Sequence, residues 1–174
     1  MFPHQVYLKK PTSHLNYTIS VINFIQIFYN KVKLNRYFIL KDVLTSLLAL
    51  TTQIQPLQDE FQICFLHCIE TMLSSCSDDV YQQFCNIENK LVIGHLVFIT
   101  LEWAEKEKSP SVKSGCISLL CVLAEKRSED FSKVFQGLLP GISSRLVKIC
   151  QDSTLTQEII YISPFYFYFH FSIT

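Results

Sequence analysis

The sequence is poor in glycine. Its 174 residues include only 4, at Gly94, Gly115, Gly137 and Gly141. A sheet protein of this length needs more glycine than that for its turns. Charge is sparse as well. Charged residues make up 17% of the chain, and 15 Lys plus Arg balance 15 Asp plus Glu to a formal net charge of zero. No run of Lys and Arg breaks that balance. Such a chain has no strong field to draw in DNA, RNA or an anionic membrane, so neither nucleic acid nor membrane is an expected partner. The sequence also lacks a Walker-type phosphate loop, a nucleotide-binding glycine fingerprint and an HExxH pattern. Together these absences predict a protein that is not an enzyme, with no catalytic, cofactor-binding or metal-binding residues.

What the chain has in plenty is apolar surface. It is 49% hydrophobic, which is ample for a core and argues against disorder. Its 7 cysteines are Cys64, Cys68, Cys76, Cys85, Cys116, Cys121 and Cys150. The number is odd, and several fall on apolar faces of expected helices. Reduced buried thiols behave as small hydrophobes, so the pattern fits a reducing compartment.

The middle of the chain reads as a series of amphipathic helices. A first, over about 38–53, carries the stripe Leu40, Val43, Leu44, Leu47 and Leu48, with Lys41, Asp42, Thr45 and Ser46 opposite. A second, over about 57–76, places Phe61, Cys64, Phe65, Cys68, Ile69, Met72, Leu73 and Cys76 on one face. Asp59 and Glu60 sit in its first turn, where carboxylates suit the positive end of the helix dipole. Residues 77–88 read as a loop with a short turn around Tyr81–Cys85. A third helix, about 89–107, is apolar nearly all round and is therefore expected to be buried on more than one side. Ser109-Pro110 marks the next start, because proline at the first helical position loses only an N–H that would be unpaired anyway. The fourth helix runs to about Arg127, with Val112, Cys116, Leu119, Leu120 and Leu123 inside and Lys113, Ser114 and Ser118 outside. A fifth follows Ser128-Glu129-Asp130 and carries Phe131, Phe135, Leu138, Ile142, Leu146 and Ile149, with a kink at Leu139-Pro140-Gly141. A sixth begins near Thr154 or Leu155.

The starts near 90 and 131 are separated by roughly one HEAT or armadillo unit of about 40–47 residues. The predicted fold is all-α, an α-solenoid of HEAT/armadillo-type helix pairs, with an irregular helical bundle as the alternative.

The two ends differ from the middle. Residues 15–29 follow Lys9 and Lys10 and imitate an anchor segment, but Asn16, Thr18, Ser20, Asn23 and Gln26 interrupt them. The stretch is also shorter than the roughly 20 apolar residues that a spanning helix needs. At the other end, Ile159 to Thr174 crowds aromatics without any alternation. The expected organisation is a divergent segment over 1–37, helical repeats over 38–160, and an aromatic tail over 161–174 outside the fold.

Few residues are candidates for chemistry. Cys64 and Cys68, with His67 between them, are the best metal candidates, but both thiols fall on the apolar stripe and no second pair has ligand spacing. His95 lies in the most hydrophobic helix, which favours a core or groove histidine over a catalytic base. Glu102, Glu105 and Glu107 alternate with Lys106 and Lys108, as a solvated helix end does. Trp103, the single tryptophan, is read as core.

One stretch resembles a known family. Residues 104–160 are similar to the N-terminal part of the Tel-two-interacting protein one family, the large HEAT-repeat subunit of the triple-T co-chaperone complex. The resemblance rests on Ala104-Glu105-Lys106-Glu107-Lys108-Ser109, on the helix with Leu119, Leu120, Val122 and Leu123, and on Phe135 followed by Leu138-Leu139-Pro140-Gly141-Ile142-Ser143. Residues 40–103 fit the preceding helices in order and length. The resemblance implies a non-enzymatic scaffold that supports phosphatidylinositol-three-kinase-related kinases in their maturation. It implies protein partners: the other triple-T subunits, those kinases and chaperone machinery. It implies a cytoplasmic location, with the nucleus as a second compartment. The rival readings are a small membrane-associated helical protein and a truncated product without independent function. No partner-binding residue can be singled out from the sequence.

Overall fold

The computed structural model describes residues 11–32, 37–53, 58–84, 90–106, 108–125, 145, 148 and 149. Among these, the elements are all helical: α1 Pro11–Val32, α2 Tyr37–Gln53, α3 Asp59–Ser75, α4 Asp78–Phe84, α5 Lys90–Lys106 and α6 Pro110–Glu125. Residues 145, 148 and 149 are helical too. The expected fifth-helix kink at 139–141, the sixth helix and the aromatic tail lie outside the described residues.

In α2, α3 and α6 the core stripe is where the periodicity puts it. In α2, Leu40, Leu44, Leu47 and Leu48 are buried while Asp42, Thr45 and Ser46 are exposed. In α6, Val112, Cys116, Leu119, Leu120 and Leu123 are all buried. Its Lys113 is buried as well, contrary to the outward position the stripe gives it. α6 packs against both α3 and α5, so its flanks are covered too, and a lysine stem can lie along apolar surface there.

α3 is the centre of the molecule. It packs between α1 and α6, and it also touches α2. Phe61, Phe65, Leu66, Ile69, Met72 and Leu73 are fully buried, an arc wide enough to serve several neighbours. Burying each such side chain stabilises the fold by about 1.5–3 kcal/mol. The helix starts after Gln58, whose backbone is extended, and stops at Cys76, whose backbone is extended again. Asp59 and Glu60 occupy the first turn and complement the dipole.

The direction of packing separates a solenoid from an up-and-down bundle. A Cβ added at Gly115 of α6 would sit 3.2 Å from Leu66 Cδ1 of α3. Three residues further along α6, the Ser118 hydroxyl donates to Glu70 Oε1, four residues further along α3, at 2.6 Å. Beyond the end of α3, the Tyr81 hydroxyl donates to the Leu123 carbonyl near the end of α6 at 2.8 Å. α3 and α6 therefore run parallel, as equivalent helices of successive helix pairs do, with a chain reversal between them. That is the all-α repeat arrangement the sequence predicts.

Two elements depart from the sequence reading. Residues 78–84, read as loop, form the short helix α4, which buries Val80, Tyr81 and Phe84. Residues 11–32, inside the segment set apart from the repeats, form α1, which seats Leu15, Ile22 and Tyr29 in the core. These three recur at seven-residue steps, so one edge of the helix faces α3 along most of its length.

Candidate partner-binding surface

The sequence candidates for chemistry fall into different surroundings. Cys64 and Cys68 lie on the inner side of α3, half-buried and fully buried respectively. The Cys68 thiol lies 3.9 Å from the Met72 sulfur. Burial, and then the neighbouring Cys64, push the Cys68 thiol up to about 12. Burial, and then Glu60, push the Cys64 thiol up as well. Thiols held protonated in this way are poor metal ligands and poor nucleophiles. His67 is exposed on the other side of the same helix. No group of three or more His, Cys, Asp or Glu that can hold a metal occurs among the described residues.

His95 is exposed on α5, because Leu96, Val97 and Ile99 take the core positions around it. Trp103 is buried, with its ring edge-on to Phe65 at 5.3 Å between centroids. Glu102 pairs with Lys106 one turn on. Glu105 instead takes two bonds from Arg145, at 3.0 Å from Nε and 3.0 Å from Nη2. The same guanidinium lies over the Phe98 ring, 5.4 Å from its centroid. Phe98 and Glu105 are two turns apart on one face of α5, so Arg145 clamps the helical segment that carries it onto that face. Residues 40 positions apart make this contact, and nothing in the local pattern announces it.

Two surface features remain. One is an open polar groove of about 410 Å³ between α1 and α3, lined by Gln26, Asn30, His67, Glu70, Thr71, Ser74 and Ser75. Gln26 Nε2 donates to Thr71 Oγ1 at 3.2 Å, and the Thr71 hydroxyl donates to the His67 carbonyl at 2.7 Å. The Glu70 carboxylate already accepts from Ser118. Amide, hydroxyl and carboxylate groups spread along an open trough suit contact with a polar peptide surface better than they suit turnover of a small molecule.

The other feature is the outer face of α1. Tyr17 is 73% exposed, Phe24 68% and Ile27 55%, and Val21 and Phe28 are exposed beside them. Phe24 and Phe28 stack at 6.2 Å between centroids. An exposed apolar face of this kind is a candidate interaction surface. Residues 15–29, which imitate an anchor in the sequence, are thus an element with one edge in the core and the other outside. No helix among the described residues is long and apolar enough to cross a membrane.

Comparison with known protein families matches residues 1–162 to the TTI1 N-terminal TPR domain. The chain belongs to that family. The matched span takes in α1 to α6, the elements of the described residues. No curated protein and no solved structure matches the chain. TPR, HEAT and armadillo units are all stacked helix pairs, so the TTI1 N-terminal domain and the parallel α3 and α6 describe the same class of architecture. As a TTI1-like helical scaffold, this domain offers surfaces: an apolar helix face and a polar groove on either side of α1.

Proposed function

We propose that the chain is a non-enzymatic scaffold that acts within the triple-T co-chaperone complex, supporting the maturation and stability of phosphatidylinositol-three-kinase-related kinases. The observation that carries this reading is the family match over residues 1–162. The surfaces on either side of α1 are in keeping with it, because a helical array that binds partners needs exposed faces rather than a closed cavity. The partners in this reading are the other triple-T subunits, the kinases and chaperone machinery, met in the cytoplasm and in the nucleus. Neither nucleic acid nor membrane takes part. In this reading α1 joins the repeats over 38–160 in the working array, and residues 161–174 contribute nothing to it.

The test is a pull-down with the full chain as bait from cells that express the complex. Recovery of the other triple-T subunits together with a kinase of this class is the expected result. Recovery of none of them overturns the proposal. Removal of residues 161–174 is expected to leave the recovery unchanged.

A further inference from the structure

The outer face of α1 has a spacing of its own. Tyr17, Val21, Phe24 and Phe28 follow one another at steps of four, three and four residues, and all are exposed. His14 and Lys31, also exposed, extend the same register by one step at each end. This is the alternation of a coiled-coil seam, in which a second helix lies along the first and the side chains interlock. It lies opposite the edge formed by Leu15, Ile22 and Tyr29, which α3 already covers.

We propose that this face is a self-association seam, on which a second copy of the chain docks through its own α1 in antiparallel orientation. Charge is the first argument. The seam carries no acidic residue and no arginine, and its basic groups, His14 and Lys31, stand at its two ends. A charged partner finds nothing there to pair with, whereas an equally uncharged helix meets no opposition. A parallel pair sets Lys31 against Lys31, and an antiparallel pair sends the two lysines to opposite ends. Shape is the second argument. Antiparallel pairing about the middle of the seam places Val21 against the second copy's Phe24, and Tyr17 against its Phe28, so that a small side chain meets a large one at the centre.

Area is the third argument. At roughly 200 Å² for a large side chain, the exposed fractions of Tyr17, Val21, Phe24 and Phe28, together with Ile27 at the flank of the seam, leave on the order of 500 Å² per copy. Two copies then bury about 1,000 Å² in all, the lower bound for a specific interface. The seam therefore supports a concentration-dependent dimer rather than an obligate one.

Sedimentation velocity on the full chain over a range of concentrations tests this. The expected result is a shift from 20.2 kDa towards twice that mass as concentration rises. Val21→Glu and Phe24→Lys are each expected to weaken the dimer by tenfold or more. Both positions are exposed, so helical circular dichroism should be retained in both variants. Mixing the two variants is expected to restore association, because the new carboxylate at position 21 of one chain meets the new ammonium at position 24 of the other only in the antiparallel arrangement. A wild-type chain that stays at 20.2 kDa throughout overturns the proposal. So does a dimer indifferent to both substitutions, or a mixture that stays apart.

Discussion

Tyr29 carries a buried hydroxyl with no hydrogen-bond partner among the described residues. Burial, and then the neighbouring Cys68 and Cys76, push that hydroxyl from 10.0 up to about 12. The Cys68 thiol is raised from 9.0 to about 12 in the same way. Both groups are held neutral by the fold. Above pH 9 to 10 the unfolded chain releases protons that the folded chain still binds, so stability falls as pH rises. The contribution is complete below about pH 9 and is lost between about pH 9 and 12. Denaturant midpoints measured across that window should decline steadily. Tyr29→Phe removes an unpaired buried polar atom and one of the two titrating groups. It is expected to gain about 1 kcal/mol at neutral pH and to make the alkaline decline shallower. A Tyr29→Phe chain less stable than wild type would show that the hydroxyl has a partner after all.

Among the elements, legibility follows length and one-sidedness. α2, α3 and α6 each repeat their apolar positions at three- and four-residue steps over 16 or 17 residues, long enough for periodicity to speak. α4 has 7 residues, too few for a stripe, and only Asp78 and Asp79 in its first turn hint at a start. α1 was obscured for the opposite reason. It is apolar on two faces, and the polar residues between them read as interruptions of one run rather than as the borders of two. The groove and the Arg145 clamp were beyond reach, since each joins residues 40 or more positions apart. Single residues hold these elements in register. The Tyr81 hydroxyl ties α4 to the end of α6, so Tyr81→Phe is expected to cost about 1–2 kcal/mol. Hydrogen exchange should show the loss concentrated in α4 and the last turn of α6. Gly115 lets α6 approach Leu66 closely. Gly115→Leu overfills that contact and is expected to cost about 1–3 kcal/mol, despite the better helix former, in a thermal melt. An unchanged melting temperature would mean that α3 and α6 can move apart freely.

At the scale of the whole molecule, the described helices cover one another in an order that differs from their order in the sequence. α1 covers one side of α3, α6 covers the other, α5 lies against α6, and Arg145 reaches back over the outer face of α5. Stability in such an array is a sum of nearest-neighbour terms, and a terminal element matters as much as the face it shields. α1 brings Leu15, Ile22 and Tyr29 to that sum. Their burial is worth on the order of 5 kcal/mol, which is comparable with the entire stability of a typical domain. Removing residues 1–36 should therefore lower the urea midpoint sharply or leave the chain insoluble, through the uncovered flank of α3. The same deletion also removes the outer seam of α1, so any self-association must vanish with it. A truncated chain that keeps the full midpoint would make α1 an appendage of the array. A truncated chain that loses its stability makes α1 a working helix of the array, with one edge serving the core and the other left for a partner.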